Sequence, residues 1–150
     1  MNFDIFSDSI SDTIKEYMEQ NNLTVTEFAK QCQVSEPCVS KWLHKKTYPS
    51  LTYSVKVADY IKCSLDYLLG LTDKKEYTPA LQTANFKDRL NHLVKKSGKT
   101  DSFIAQTCKF QKSNFPKWRK GVKPTPEILI SLSAFFDVSV DYLVGRSDFI

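Results

Sequence analysis

The sequence predicts an all-α fold built from two tandem five-helix units. Apolar residues recur at helical spacing, with Ile10, Ile14 and Tyr17 on one face of a helix. No segment alternates convincingly between apolar and polar residues as a half-buried strand does. Residues 10–42 also align with residues 86–118 at an offset of 76, and the later parts of the two copies align at an offset of 75 after a one-residue deletion. This self-similarity predicts the duplication of one unit.

Identical residues occur at matching positions in the two copies. At the offset of 76 the pairs are Asp12/Asp88, Thr24/Thr100, Ala29/Ala105, Cys32/Cys108, Lys41/Lys117 and Trp42/Trp118. At the offset of 75 they are Pro49/Pro124, Ser64/Ser139, Asp66/Asp141, Tyr67/Tyr142, Leu68/Leu143, Gly70/Gly145 and Asp73/Asp148. We therefore predict a first domain over residues 1–73, a linker over 74–85 and a second domain over 86–150.

Each unit is expected to contain five short helices in the same order. Thr24 and Thr100 are placed to N-cap the second helix, because a threonine oxygen can accept from the free amides of the first turn. A tight turn then leads into the third helix. The fourth helix is predicted to bury Tyr53, Val57, Tyr60 and Ile61 in the first copy and Ile128, Leu132, Phe135 and Phe136 in the second.

The final helical turn of each unit has a start and a stop signal. Ser64 and Ser139 are predicted N-caps, and Gly70 and Gly145 are predicted stops, since glycine readily adopts the left-handed conformation that ends many helices.

Prolines distinguish the two third helices. Pro37 lies in the first turn of its helix, where the missing N–H has no cost. In a helix that starts at Gln111, however, Pro116 would lose a bond to the carbonyl of Lys112. We therefore predict that this helix begins nearer Ser113, which places Pro116 inside its first turn.

The charge of the chain is unevenly distributed. The formal net charge is +4, but residues 1–73 carry 7 Lys/Arg against 10 Asp/Glu, whereas residues 86–150 carry 12 against 6. A basic second copy beside a slightly acidic first copy predicts that the two copies contact a polyanion unequally.

The sequence points to a cytoplasmic protein that needs no cofactor. The N-terminus lacks the basic start and apolar core of a signal peptide. Polar residues such as Ser131, Asp137 and Asp141 interrupt the most apolar stretch, which argues against a membrane span. The four cysteines have no paired metal-binding spacing, so neither metal nor disulfide is expected, and Cys32 and Cys108 are predicted to be small buried residues.

No catalytic site is predicted. The chain has two histidines and no nucleophile–base pattern, glycine-rich phosphate loop or pair of catalytic carboxylates. The sequence therefore does not indicate an enzyme.

Two short helices joined by a tight turn within a five-helix unit resemble the Cro-repressor and lambda-repressor-like helix-turn-helix family, also called XRE. The resemblance rests on the stretch from Thr24 to Trp42, on Pro49 and on the ending Leu-Asp-Tyr-Leu-Leu-Gly, and it covers nearly the whole chain twice. It implies two lambda-repressor-like DNA-binding domains. Their recognition helices lie near residues 36–44 and 112–120 and enter the major groove, while the second helix sits over the phosphate backbone.

The resemblance implies two sets of DNA contacts. The groove-facing residues are Glu36, Pro37, Ser40 and Lys41 in the first copy and Lys112, Ser113, Pro116 and Lys117 in the second. The backbone contacts are Thr24, Thr26, Lys45 and Lys46 in the first copy and Thr100, Ser102, Asn114, Arg119, Lys120 and Lys123 in the second. Many family members carry glutamine after the threonine cap, whereas this chain has Val25 and Asp101, and an acid near phosphate is unfavourable. Trp42 and Trp118 are expected in the core.

Two functions fit these features best, and a metal or thiol sensor that uses Cys38 is a minor third. The first is a repressor-like transcriptional regulator of bacterial or prophage type that binds double-stranded DNA as a homodimer or as an intrachain pseudo-dimer. The second is a protein-interaction module of antitoxin or anti-repressor type. The second is favoured by the acidity of the first copy and by apolar residues near the chain ends, namely Phe3, Ile5, Phe6, Phe149 and Ile150. The sequence identifies no small-molecule effector.

Overall fold

The computed structural model describes residues 3–82 and 84–150, with side chains from Phe6 onward. Within these residues every regular element is a helix, which confirms the predicted all-α class. The chain divides into two compact units, Met1–Tyr77 and Thr78–Ile150. The side chains of Phe3 and Ile5, two of the apolar residues noted near the N-terminus, lie outside the described part.

In the described residues of the first unit, five helices follow one another. They are α1 (Phe3–Gln20), α2 (Val25–Cys32), α3 (Glu36–Leu43), α4 (Leu51–Ile61) and α5 (Leu65–Leu68). The core of this unit contains Ile10 and Ile14 from α1, Phe28 from α2 and Leu65 from α5, each fully buried. α1 starts well before the repeated segment, and its Phe6 is buried edge-on against Tyr48 with ring centroids 5.1 Å apart.

The second unit has five helices in the part of the chain that is described. They are α6 (Phe86–Ser97), α7 (Asp101–Cys108), α8 (Asn114–Arg119), α9 (Pro126–Phe136) and α10 (Val140–Leu143). Its core is formed by Leu90 from α6, Ile104 from α7, Phe115 from α8 and Leu129 from α9.

The predicted buried face of the fourth helix needs correction in both units. In α9, Leu132 is buried as predicted, but Ile128, Phe135 and Phe136 are half-buried, and the buried stripe includes Leu129 instead. In α4, Val57 and Ile61 are buried as predicted, while Tyr53 and Tyr60 are half-buried. The Tyr60 ring packs against Tyr17 and Phe28, and its hydroxyl donates a hydrogen bond to the side chain of Gln31.

The predicted start and stop of the last helical turn are confirmed. Ser64 and Ser139 each accept a hydrogen bond from the amide three residues later. Gly70 and Gly145 follow these turns with φ values of 79° and 85°. In both cases the next amide also bonds back to the helix, from Leu71 to the Asp66 carbonyl in one unit and from Arg146 to the Asp141 carbonyl in the other. The glycine amides also donate, from Gly70 to the Tyr67 carbonyl and from Gly145 to the Tyr142 carbonyl. This pair of hydrogen bonds is the Schellman motif, in which a left-handed residue ends a helix.

Parts of the segment 74–85 hydrogen-bond within their own units. The Ser64 amide donates to the carbonyl of Lys75 at 2.8 Å in the first unit. In the second unit the Ala80 amide donates to the carbonyl of Arg146 at 2.8 Å, and the Leu81 amide donates to Asp148 at 2.9 Å. The boundary between the two compact units, after Tyr77, falls within this segment.

The two equivalent cysteines differ in burial. Cys32 is buried, and desolvation raises the pKa of its thiol to about 11. Cys108 is only half-buried, so the prediction of a buried residue is wrong at that position. Its Sγ lies 3.8 Å from the Ser131 carbonyl of α9, at the edge of the core and not inside it.

Candidate nucleic-acid interface

The segment α2–α3 has the local features of a helix–turn–helix. Thr24 caps α2 by accepting from the Glu27 amide, and the Glu27 carboxylate accepts in return from the Thr24 amide at 3.0 Å. α2 ends at Gln33, whose φ of 61° turns the chain in the left-handed region. Ser35 then caps α3, so two capped helices are joined by only three residues. The reciprocal bonds of Thr24 and Glu27 fix the start of α2, and the Ser35 cap fixes the start of α3.

α3 has one face in the core and one face in solvent. Val39 and Trp42 are buried, with exposures of 0% and 2%. The Trp42 ring packs against Tyr53 of α4 with centroids 5.9 Å apart, which confirms the predicted core role of this tryptophan. The predicted groove-facing residues occupy the other side of the helix. Glu36, Pro37 and Lys41 are exposed and Ser40 is half-buried.

The predicted backbone contacts of the first unit have different surroundings. Thr24, Thr26 and Lys46 are exposed. Lys45 is also exposed, but its Nζ lies 2.8 Å from the carboxylate of Asp8 on α1. That hydrogen bond raises the pKa of Lys45. Of the two lysines predicted to contact the DNA backbone in this unit, Lys45 is therefore the one that forms an ion pair within the unit.

In the second unit, α7 and α8 are joined by a longer turn. Thr100 caps α7 through the Phe103 amide, and Lys109, with a φ of 61°, ends it. Residues 109–113 separate α7 from α8, which begins at Asn114 after Ser113. The predicted late start of this helix is confirmed.

The reason for the late start lies in the hydrogen bonds near Pro116. Pro116 has no N–H to donate to the carbonyl of Lys112. That carbonyl accepts instead from the Phe115 amide at 3.1 Å, and the Gln111 carbonyl accepts from the Asn114 amide. Both hydrogen bonds span three residues, as in a 3-10 turn, and this turn precedes the regular helix.

α8 is anchored by aromatic side chains and presents cations to solvent. Phe115 and Trp118 are buried, and their ring centroids are 5.2 Å apart. The Trp118 ring also contacts Phe86 of α6 and Phe110, with centroid distances of 6.0 and 5.1 Å, so its predicted core role is confirmed. Asn114 is half-buried, and the other predicted contact residues apart from Arg119 are exposed: Thr100, Ser102, Lys112, Ser113, Pro116, Lys117, Lys120 and Lys123.

Arg119 differs from the lysines around it, because its guanidinium is engaged within the unit. Its two terminal nitrogens donate to the two carboxylate oxygens of Asp101 at 2.5 and 2.9 Å. Its Nε donates to the side-chain oxygen of Asn91 at 3.2 Å, and its Cζ atom lies 5.2 Å from the centroid of the Phe115 ring. The hydrogen bonds from Arg119 lower the pKa of Asp101, and those to Asp101 raise the pKa of Arg119.

All three arginines of the chain are paired with aspartates of the second unit. Arg89 lies 2.9 Å from Asp148, and Arg146 pairs with buried Asp141. Arg119 is the third, through Asp101. In contrast, Lys112, Lys117, Lys120 and Lys123 form no ion pair with any residue of the described ranges. The solvent-facing positive charge around α8 is therefore carried by lysine.

The Arg119–Asp101 contact was missed from the sequence, although a signal for it exists. At the offset of 76, Asp101 and Arg119 correspond to Val25 and Leu43. An apolar pair in one copy is replaced by an acid and a base in the other. Comparison of the copies for such paired exchanges would have predicted the contact.

No group of three or more His, Cys, Asp and Glu side chains is placed to hold a metal ion among the described residues. No helix of residues 3–82 or 84–150 is long and apolar enough to cross a membrane.

Residues 14–68 match the helix-turn-helix family. The matched span lies in the first unit, runs from α1 to α5 and contains the α2–α3 pair. The family is one of DNA-binding regulators. No curated protein and no solved structure matches the chain.

Proposed function

We propose that this protein is a sequence-specific, repressor-like transcriptional regulator that binds double-stranded DNA through α3 and α8. The observation that carries this proposal is the α2–α3 pair. The inner face of α3 is buried through Val39 and Trp42, while its outer face carries exposed Lys41 and half-buried Ser40. This pair lies within the span that matches the helix-turn-helix family.

The exposed side chains suit the chemistry of a DNA groove. A lysine such as Lys41 or Lys117 can donate to guanine, a serine such as Ser40 can bond to several bases, and Glu36 can accept from the amino group of cytosine. Phosphate oxygens can be bound by the hydroxyls of Thr26 and of the capping threonines Thr24 and Thr100, and by the lysines outside the groove-facing set. Such phosphate contacts set the register of the protein on the duplex. The groove side and the backbone side of the proposed interface thus have separate roles.

The second unit is proposed to supply most of the electrostatic attraction. Four exposed lysines around α8 form no ion pair with the described residues, whereas Lys45 in the first unit is paired with Asp8. Each lysine that neutralises a phosphate releases a counterion and steepens the fall of affinity with salt. We propose two DNA-binding domains, residues 1–73 and 86–150, joined by residues 74–85.

A mobility-shift titration with matched variants tests the proposal. Lys41 and Lys117 occupy equivalent positions of the two copies, so Lys41→Ala and Lys117→Ala remove the same charge from each proposed recognition helix. We expect Lys117→Ala and Lys120→Ala to weaken binding more than Lys41→Ala and Lys45→Ala. Lys96→Ala, at an exposed position of α6, serves as the control for loss of a distant charge. Equal or reversed effects would contradict the proposed asymmetry.

Selection of bound sequences from a random duplex pool defines the site and the stoichiometry. A selected site with two related half-sites fits either a homodimer or one chain that uses both domains. The mass of the complex on that site separates these two cases. Enrichment of no sequence would contradict sequence-specific binding.

A role in protein interaction is the second candidate. It is supported by the exposed apolar residues Phe149 and Ile150, which are 64% and 68% accessible. Phe6, part of the same argument from the sequence, is buried and does not support it. Salt dependence separates the two functions, because phosphate contacts make affinity fall steeply with salt. A protein-interaction module would show no affinity for random duplex DNA.

A further inference from the structure

α8 has little intrinsic support for its orientation. It is six residues long, Ser113 provides no side-chain bond at its start, and Pro116 cannot donate a backbone hydrogen bond. Isolated helices shorter than about 12 residues are marginal in water. The direction in which α8 presents Lys117 must therefore depend on contacts with the rest of the unit.

Two sets of contacts hold α8. On the inner side, the Phe115 and Trp118 rings pack into the aromatic cluster with Phe86 and Phe110. Apolar burial is non-directional, so these rings hold α8 against the core but specify its rotation about its axis less sharply than directional hydrogen bonds do. The second set is at the last residue of α8, where the Arg119 guanidinium is fixed in three directions.

The contacts of Arg119 join three helices of the second unit. Asp101 is the first residue of α7 and binds both terminal nitrogens, and Asn91 belongs to α6 and binds Nε. The Phe115 ring lies against the guanidinium from within α8 itself. The planar fork of arginine allows these bonds in one orientation, which a lysine ammonium cannot reproduce.

The same pair changes the charge of the proposed interface. An isolated Asp101 at the start of α7 would repel the phosphates that the resemblance places near this helix. Bonded to Arg119, the carboxylate is neutralised locally. The hydrogen bonds that neutralise it are the ones that leave Arg119 fewer donors for a phosphate.

We propose that Arg119 acts in DNA binding as a positioning residue, with Asp101 as its partner, and that the pair fixes the orientation of α8 on the surface of the second unit. This inference rests on the proposed function. It replaces the phosphate contact that the resemblance implies for Arg119.

The two roles predict opposite effects for Asp101. If Arg119 binds phosphate, then Asp101→Ala removes a repelling acid, releases the guanidinium and strengthens DNA binding. If the pair positions α8, then Asp101→Ala weakens binding even though it removes a negative charge. The salt dependence differs as well. The slope of log K against log salt is negative, and loss of one phosphate contact reduces its magnitude by about 0.9.

The experiment measures affinity for the selected duplex at several salt concentrations for the full chain and five variants. These are Arg119→Ala, Arg119→Lys, Asp101→Ala, the double variant and Lys120→Ala. We expect Asp101→Ala and Arg119→Ala each to weaken specific binding by about tenfold, with the double variant no weaker than either single variant, because the residues act as one unit. Arg119→Lys should restore little, and the salt slope should stay near that of the wild type in all four. Lys120→Ala, the matched control, should reduce the magnitude of the slope by about 0.9.

A DNA-free measurement tests the structural half of the inference. Amide hydrogen exchange in residues 115–119 should accelerate in Arg119→Ala and in Asp101→Ala and stay unchanged in Lys120→Ala. Stronger binding by Asp101→Ala, a slope lowered by about 0.9 in Arg119→Ala, or unchanged exchange in α8 would overturn the positioning role. Wild-type protein without salt-dependent affinity for DNA would overturn the proposed function instead.

Discussion

Gly145 lies so close to the backbone of Ala84 that a Cβ atom at Gly145 would be 2.2 Å from the Ala84 carbonyl oxygen. The φ of Gly145 is also +85°, in the region that favours glycine. The turn that ends α10 and the residues that lead into α6 therefore pack backbone to backbone within the second unit. Such an approach leaves no room for a side chain.

Gly145→Ala is expected to destabilise the second unit strongly. The left-handed conformation alone costs alanine about 1–2 kcal/mol, and the clash with backbone atoms must add to this. Gly98→Ala is the matched control, because Gly98 also has a positive φ, of 67°, but nothing lies within 4 Å of the position that a Cβ atom would take there. Urea unfolding should give a loss of about 1–2 kcal/mol for Gly98→Ala and a clearly larger loss for Gly145→Ala. Equal losses would show that the approach of Ala84 is not rigid.

The proline of α8 and its equivalent serine in α3 provide a reciprocal test. Ser40 is the fifth residue of α3, so Ser40→Pro removes a bond inside the helix and should cost about 3 kcal/mol. Pro116 is the third residue of α8, where an amide has no helical partner, so Pro116→Ser should change the free energy of unfolding by less than about 1 kcal/mol. Thermal and urea unfolding measure both. A large loss from Pro116→Ser would mean that the proline itself holds the turn before α8.

The Asp101–Arg119 pair should make stability depend on pH in the acid range. Arg119 lowers the pKa of Asp101 below its usual value of 3.8. The ionised carboxylate therefore stabilises the folded state above the unfolded pKa of about 3.9, and this contribution is lost as the pH falls through the lower folded pKa. Asp101→Asn should be less stable than the wild type near pH 6, and the difference should shrink below about pH 4.

The control for this pH dependence is the same substitution in the Arg119→Ala background. Without the guanidinium, Asp101→Asn should produce a much smaller difference at every pH. Urea unfolding of the four proteins across the acid range measures the coupling. A difference that persists unchanged below pH 4 would contradict the proposed stabilisation of the ionised form.

The cysteines should differ in reactivity toward a thiol reagent. Burial raises the pKa of Cys32 to about 11, so very little thiolate is present at pH 8. Cys38, in the first turn of α3, is half-buried. Mass spectrometry after brief labelling at pH 8 should find Cys38 modified well before Cys32, and urea should abolish the difference. If Cys32 reacts as fast as Cys38 in the folded protein, then α2 opens readily.

The sequence predicted the features that depend on neighbouring residues. The caps at Thr24 and Ser139, the stop at Gly145 and the late start of α8 all follow from bonds between residues a few positions apart. The core positions of Trp42 and Trp118 follow from helical spacing in two aligned copies. Such local rules apply wherever the helix eventually packs.

Features that depend on packing between helices were not predicted. Asp101 and Arg119 are 18 positions apart on different helices, and their contact depends on how α7 and α8 meet. Phe135 and Phe136 fit an apolar stripe but are only half-buried, at its edge. Periodicity predicts which face of a helix is buried, but not how far the neighbouring helices cover that face. The helix–turn–helix of the first unit, within residues 14–68, was therefore predicted from the sequence, whereas the contact between Asp101 and Arg119 was not.

If the protein binds DNA as proposed, the pairing of all three arginines with aspartates limits how it can read a base sequence. A guanidinium can bind guanine through two parallel bonds, whereas an ammonium is a single, strongly hydrated charge with free rotation about its stem. If Arg89, Arg119 and Arg146 keep their partners on DNA, every cationic contact comes from a lysine. The shape of the groove would then add to the base contacts proposed for Lys41, Lys117 and Ser40, and operator variants should be ranked by their deformability as well as by their guanines.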